Sequence, residues 1–95
     1  MQIESIRHKA LRRFAETGSP KGLPAGSVDR LRNMLAYLAA IGAEEELWVP
    51  PNFGAHKLTG NRAGEWALTV TRNWRMTFRI NAESAIEDMN LEDYH

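Results

Sequence analysis

His56 and Lys57, Arg75, and the terminal Asp93, Tyr94 and His95 are residue types that together could cleave an RNA backbone. In that reaction a general base removes the proton of a 2′-hydroxyl, and the oxygen attacks the neighbouring phosphorus in line. Cations stabilise the charge on the phosphoryl oxygens, and a general acid protonates the leaving 5′ oxygen. Histidine titrates near neutrality, so it can act as base or acid. Arginine stays charged and can grip a phosphate in two-pronged fashion. Preorganised cations at the phosphorus can be the largest single contribution to such a rate. Tyrosine can donate a proton or stack on a base. No metal is required, and no metal-ligand spacing stands out. His8, His56 and His95 are far apart in sequence, and cysteine is absent. The chain has neither a phosphate-cradling glycine motif nor a serine elbow, and no cofactor is expected. Each candidate also has an ordinary reading. His56 and His95 could be solvated surface residues, and a terminal histidine is often frayed. Arg75 and Arg79 could pair with Glu65 or Glu87 on an exposed sheet face. Tyr94 could sit at the rim of the core.

The element that must position these groups is the stretch Trp66 to Ile80. Trp66, Leu68, Val70, Trp74, Met76, Phe78 and Ile80 alternate with Ala67, Thr69, Arg75, Thr77 and Arg79. Period-2 alternation over two arms predicts a β-hairpin with one buried face. Val70 and Trp74 share a face only if the loop holds an odd number of residues. Thr71-Arg72-Asn73 fits, as a type I turn with Asn73 left-handed. The register then pairs Thr69 with Arg75, Ala67 with Thr77 and Glu65 with Arg79, the last an opposite-charge pair. A two-residue loop would scramble both faces.

Upstream, Ile3 is a candidate edge strand, and Ser5 is expected to cap a helix ending at about Thr17, with Gly18 as its stop. Ile6, Ala10, Leu11 and Phe14 form its apolar stripe; Arg7, Lys9, Arg12 and Arg13 make the rest basic. A second helix is predicted from Ser27 to about Ile41, with Asp29 favourably placed in its first turn. Its wide apolar face suits packing across a sheet. Leu47-Trp48-Val49 is a candidate strand, halted by Pro50-Pro51. Pro50 to Gly64 is mostly loop. Ala85 to about Leu91 is a further strand of ambiguous register, because Ile86 favours one parity and Met89 and Leu91 the other. Helices followed by strands predict an α+β fold, two N-terminal helices on one face of a small twisted antiparallel sheet.

The 95 residues are expected to form one domain, residues 1–95, with a modest core. Lys plus Arg and Asp plus Glu number 12 each, which excludes a uniformly basic nucleic-acid binder. The charge is segregated, however. Residues 81–95 carry five acidic and no basic side chains, whereas residues 1–32 and 51–80 are basic. Basic blocks can bind a polyanion even in a neutral chain. With neither a secretory signal nor an apolar run long enough to span a membrane, the expected location is cytoplasmic.

HKLTGNRAGEW at 56–66, VTRNWRMTF at 70–78, EDYH at 92–95 and HKALRRFAETGSPKGL at 8–23 together resemble the HigB-type (host inhibition of growth) toxins of type II toxin–antitoxin modules, in the RelE superfamily. The resemblance covers nearly the whole chain. It implies a RelE-like fold and a ribosome-dependent mRNA endonuclease acting in the ribosomal A site. It also implies a HigA-type helix-turn-helix antitoxin as inhibitor, with operator DNA contacted only through that partner and no membrane. Carried over by position, His56, Arg75, Asp93, Tyr94 and His95 are the expected catalytic residues. Lys57, Arg62, Asn73 and Arg79 are expected RNA contacts. Thr59 stands where members often carry a basic residue. The alternative is a degenerate toxin-like protein that acts only as a non-catalytic antitoxin- or nucleic-acid-binding module.

Overall fold

A computed structural model describes residues 1–94; the predicted site residue His95 lies outside the described residues. Two helices, α1 (Lys9–Thr17) and α2 (Val28–Ala40), precede a four-stranded antiparallel sheet. Its strands are β1 (His56–Lys57), β2 (Glu65–Thr69), β3 (Trp74–Ile80) and β4 (Ile86–Asp93), neighbours in chain order. Leu11 and Phe14 of α1 and Leu31, Met34 and Leu38 of α2 are buried with Trp66, Leu68, Met76, Phe78, Ile86, Met89 and Leu91 of the sheet. The helices therefore cover one face and leave the other to Thr69, Arg75, Thr77 and Arg79.

The hairpin has the expected register: Glu65 opposite Arg79, Trp66 opposite Phe78, Ala67 opposite Thr77, Leu68 opposite Met76 and Thr69 opposite Arg75. The Val70 N–H donates to the Trp74 carbonyl at 3.0 Å and closes the three-residue loop. The loop is turned by a side chain rather than by a left-handed Asn73. Among the described residues only Ser84 and Asp88 are non-glycines with positive φ. The Thr71 hydroxyl instead accepts from the N–H groups of Asn73 (3.3 Å) and Trp74 (3.2 Å), the local bonding through which Ser and Thr stabilise turns.

The first helix starts later than expected. His8, not Ser5, caps α1: its Nδ1 accepts from the Leu11 N–H at 3.1 Å. That bond needs a neutral ring, and burial lowers the His8 pKa. The residues before it run as a parallel arm along β4, with Glu4 N–H to Ile86 carbonyl at 2.7 Å and Arg7 N–H to Met89 carbonyl at 2.6 Å. The arm satisfies backbone groups that an open sheet edge would expose. Gly18 terminates α1 with φ +79, as expected of a left-handed cap. Ser27 lies at the start of α2, but its hydroxyl bonds the Pro24 carbonyl at 2.7 Å. Leu47-Trp48-Val49 is not a strand: Glu44–Trp48 is a 3₁₀ turn. Glu46 opens it by accepting from the Gly42 and Ala43 N–H groups at 2.8 and 2.9 Å, so this carboxylate serves as a local cap.

The ambiguity of β4 resolves into a β-bulge. Thr77 pairs with Asn90 and Arg79 with Glu87, so Asp88 and Met89 together oppose Phe78. Asp88 is the left-handed residue, φ +55, and its N–H donates to the Ser5 hydroxyl at 2.8 Å. One extra residue switches the parity of the strand. Ile86 and Met89 can both face the core, and Glu92 turns to the opposite face.

Asp88 has the backbone of a glycine and the side chain of an aspartate. We expect Asp88→Gly to keep the fold and to change stability by between nothing and about +1 kcal/mol, because relief of left-handed strain competes with unfolded-chain entropy. Asp88→Val should cost about 1–3 kcal/mol, since a β-branched residue resists this conformation. Urea unfolding followed by tryptophan fluorescence measures both. Equal stability of the valine and aspartate proteins would contradict the strain argument.

Candidate active site

The face away from the helices is organised by charge. Arg62 ends a 3₁₀ turn, Gly60–Arg62, that leads into β2. Its guanidinium reaches across the sheet and is shared by two carboxylates. Glu65 receives Nε at 3.0 Å and Nη2 at 2.8 Å. Glu92 receives Nη1 at 2.8 Å and Nη2 at 2.6 Å. The second oxygen of Glu92 also accepts from the Thr77 hydroxyl at 2.6 Å, and its first oxygen from Arg75 Nη2 at 3.3 Å. Arg79 lies 3.7 Å from Glu65, the cross-strand pair expected from the register. These partners cover the middle of the face, so Ala67 and Thr77 are buried although no helix lies over them.

Arg75 is less committed. Among the described residues its one ion pair, to Glu92, is the longest contact that carboxylate makes, and its buried Nε has no hydrogen-bond partner. Its guanidinium carbon lies 5.4 Å from the centre of the Tyr94 ring, within range of a cation–π contact. Tyr94 is the first residue beyond β4. Its N–H is anchored to the Asn73 carbonyl at 2.9 Å, and its hydroxyl lies 3.5 Å from the Thr69 hydroxyl.

His56 joins this face through the register. It pairs with Ala67, which pairs with Thr77, and directly opposed residues of adjacent strands share a face. Its Nδ1 lies 3.0 Å from the Gly54 carbonyl. A carbonyl only accepts, so Nδ1 is the donor in this contact, and the tautomer that makes it has Nε2 as its acceptor nitrogen. Gly54 allows the approach. It has φ +55, and a Cβ there would lie 2.9 Å from the Thr69 hydroxyl. Arg30 of α2 fastens the same loop, donating to the carbonyls of Asn52 (2.5 Å) and Thr69 (2.8 Å).

The structure thus brings together Arg75, Tyr94, Arg62 and Arg79, with His56 on the same face. It does not bring all the expected residues there. Lys57 has the opposite parity: it pairs with Trp66, lies 5.1 Å from that ring centre and forms an ion pair with Glu44 at 3.1 Å. Asp93 pairs with Trp74, so its register position is on the face opposite to Arg75 and Glu92. Asn73 stands at the hairpin loop, where its carbonyl accepts the Tyr94 N–H. Glu92, Thr77 and Arg30 were not foreseen. Glu92 had a signal, its shared parity with Tyr94, but using it required the register of β4.

Two comparisons identify the family. A model of RelE-like HigB toxins of type II toxin–antitoxin systems matches residues 4–95. The Endoribonuclease HigB of Proteus vulgaris is 39% identical over 94 residues, covering 98% of this chain and 99% of that one. The chain belongs to the HigB-like toxin family. Membership in a type II toxin family implies an antitoxin partner. Among solved structures, YafQ from E. coli strain BL21(DE3) superposes with a TM-score of 0.64 at 10% identity, covering 98% of this chain and 94% of that chain. The YoeB/ParE toxin from Agrobacterium tumefaciens gives 0.60 at 14% identity over the whole of both chains. At such identities the likeness speaks for a shared RelE-like fold.

The carboxylates of this HigB-like toxin are linked to its stability. Hydrogen bonds from Arg62, opposed by burial and assisted by Thr77, hold the Glu92 carboxyl down at about 2 against an ordinary 4.5. Arg62 lowers Glu65 as well, and the two acids push the Arg62 pKa up. Both carboxyls bind protons less readily folded than unfolded. Their stabilisation is therefore complete above about pH 4.5 and is lost as pH falls towards 2, on the order of 3 kcal/mol for Glu92. We expect the protein to lose stability steeply between pH 5 and about 2, and Glu92→Gln to be less stable at pH 7 but flatter across that window. Denaturant unfolding at stepped pH tests this; parallel curves for the two proteins would contradict it.

Proposed function

We propose that this HigB-like toxin is an endoribonuclease that cleaves translated mRNA in the ribosomal A site, and that a HigA-type helix-turn-helix antitoxin neutralises it. The observation that carries the reading is the state of Arg75. It is a largely buried guanidinium beside Tyr94, with one long ion pair among the described residues, on a face where Arg62 already bonds both nearby carboxylates. Such a group is preorganised for a phosphate, since its ordering is complete before substrate arrives. The relative named Endoribonuclease HigB supports the same class of reaction.

In this reading His56 acts as general base through Nε2, removing the 2′-hydroxyl proton. The 2′ oxygen attacks phosphorus, Arg75 stabilises the charge on the phosphoryl oxygens, and the 5′ oxygen departs with a proton from His95. Tyr94, half-exposed beside Arg75, stacks on a base flanking the scissile phosphate. Arg79 steers the RNA backbone electrostatically from the same face.

Expression without the antitoxin should arrest growth, and primer extension on a translated mRNA should reveal internal cuts within codons. Arg75→Ala should lower cleavage by about 10²–10³-fold, with folding unchanged by circular dichroism. Deleting His95 should have a comparable effect. Growth arrest with intact mRNA, or wild-type cleavage by Arg75→Ala, would overturn the assignment. Tight antitoxin binding with no growth effect would point instead to a non-catalytic module.

A further inference from the structure

An acidic side chain in the middle of a face that meets RNA requires a reason, because it repels the backbone it lies under. Glu92 is such a side chain. It is mostly buried, and both oxygens are saturated by Arg62, Arg75 and Thr77. Arg62 is equally occupied: its Nε, Nη1 and Nη2 groups all donate to Glu65 or Glu92. A guanidinium has five N–H donors, and four of these are engaged here, so Arg62 has little left to offer a phosphate. Arg75 is the contrast. Among the described residues its sole hydrogen-bond partner is Glu92, with the Tyr94 ring on its flank.

We infer that Glu92 is a positioning residue for the cleavage reaction, fixing the Arg75 guanidinium at the scissile phosphate while Arg62, rather than binding RNA, cancels its charge. The inference rests on the endoribonuclease reading above. It reassigns Arg62 from RNA contact to internal counter-ion. It also gives Thr77 a task, since its hydroxyl fixes the rotamer of the carboxylate that holds Arg75. The competing reading is that Glu92 only staples the Gly60–Arg62 turn to the sheet.

The two readings differ in the sign of their kinetic effects. Glu92→Gln keeps the shape but removes a negative charge from the RNA face. If Glu92 were a staple alone, RNA would bind as well or better and turnover would be unchanged. If it positions Arg75, kcat falls although the charge change favours binding. A displacement of a catalytic group by about 1 Å can cost on the order of 10²-fold.

The experiment is steady-state cleavage of mRNA on programmed ribosomes by the full-length protein, with melting temperatures measured alongside. For Glu92→Gln we expect kcat to fall at least ~10-fold with KM equal or lower. In an Arg75→Lys background the same substitution should change kcat less than about 2-fold, because the residue it acts through has lost its fork. Thr77→Val, which leaves both ion pairs of Glu92 in place, should lower kcat by about 2–5-fold and keeps the test open if Glu92→Gln unfolds. Unchanged kcat in Glu92→Gln, or in Thr77→Val where the former unfolds, would overturn the inference, as would effects that multiply with Arg75→Lys. A wild-type protein that leaves the mRNA intact would instead overturn the endoribonuclease reading, and this inference with it.

Discussion

Two carboxylates share one guanidinium at the centre of the open sheet face, and the rest of that face depends on their sharing it. Glu65 and Glu92 stand on β2 and β4, with β3 between them. Without Arg62 they would be two partly buried charges with only the longer contacts of Arg79 and Arg75 for compensation. Removing one partner of a buried ion pair is costly because the other charge is left unmatched. Arg62 is presented by a short turn between β1 and β2, so the same interaction that settles the charge also fixes the loop that precedes β2. Three arginines and two glutamates leave the cluster with one net positive charge. That local surplus is how a chain with no net charge can present a phosphate-attracting face.

Which residues reach that face is a matter of counting. A strand alternates its side chains strictly, so only an odd loop or an extra residue can change the assignment. The odd Thr71-Arg72-Asn73 loop places Arg75 opposite the core set of β3. The bulge at Asp88 does the same for β4: it lets Ile86 enter the core at one end while Glu92 faces Arg62 at the other. The N-terminal arm secures the bulge, because Ser5 takes the Asp88 N–H and the backbone at Arg7 bonds Met89. Ser5 is therefore spent on the sheet, and His8 inherits the cap of α1.

The hairpin register, both helices and the α+β arrangement were legible because each is dictated by local periodicity or by an odd loop count. The bulge was visible only as a contradiction in the β4 pattern. Its resolution needs a backbone conformation that aspartate adopts at a cost, and propensity argues against that in advance. Leu47-Trp48-Val49 has strand-like composition, yet its first two residues close the Glu44–Trp48 turn. Capping by Glu46 and burial of Leu47 decided otherwise. At the site, Arg75 and Tyr94 were expected through the family resemblance, and they are neighbours in space. The binding partners of Arg62 were not, since its bond to Glu92 spans thirty positions and depends on the bulge.

The terminal Glu92-Asp93-Tyr94 run carries the same constraint to the edge of the site. While a strand persists, three successive residues cannot all address one face. Glu92 therefore serves the arginine side, and Asp93, paired with Trp74, holds a register position on the other. The chain leaves the strand immediately afterwards, and the Asn73 carbonyl receives the Tyr94 N–H just where the ladder ends. That bond ties Tyr94 to the hairpin loop and sets its ring beside Arg75. The hairpin loop consequently acts twice. Its odd length chooses the face of Arg75, and its last carbonyl anchors Tyr94 beside that arginine.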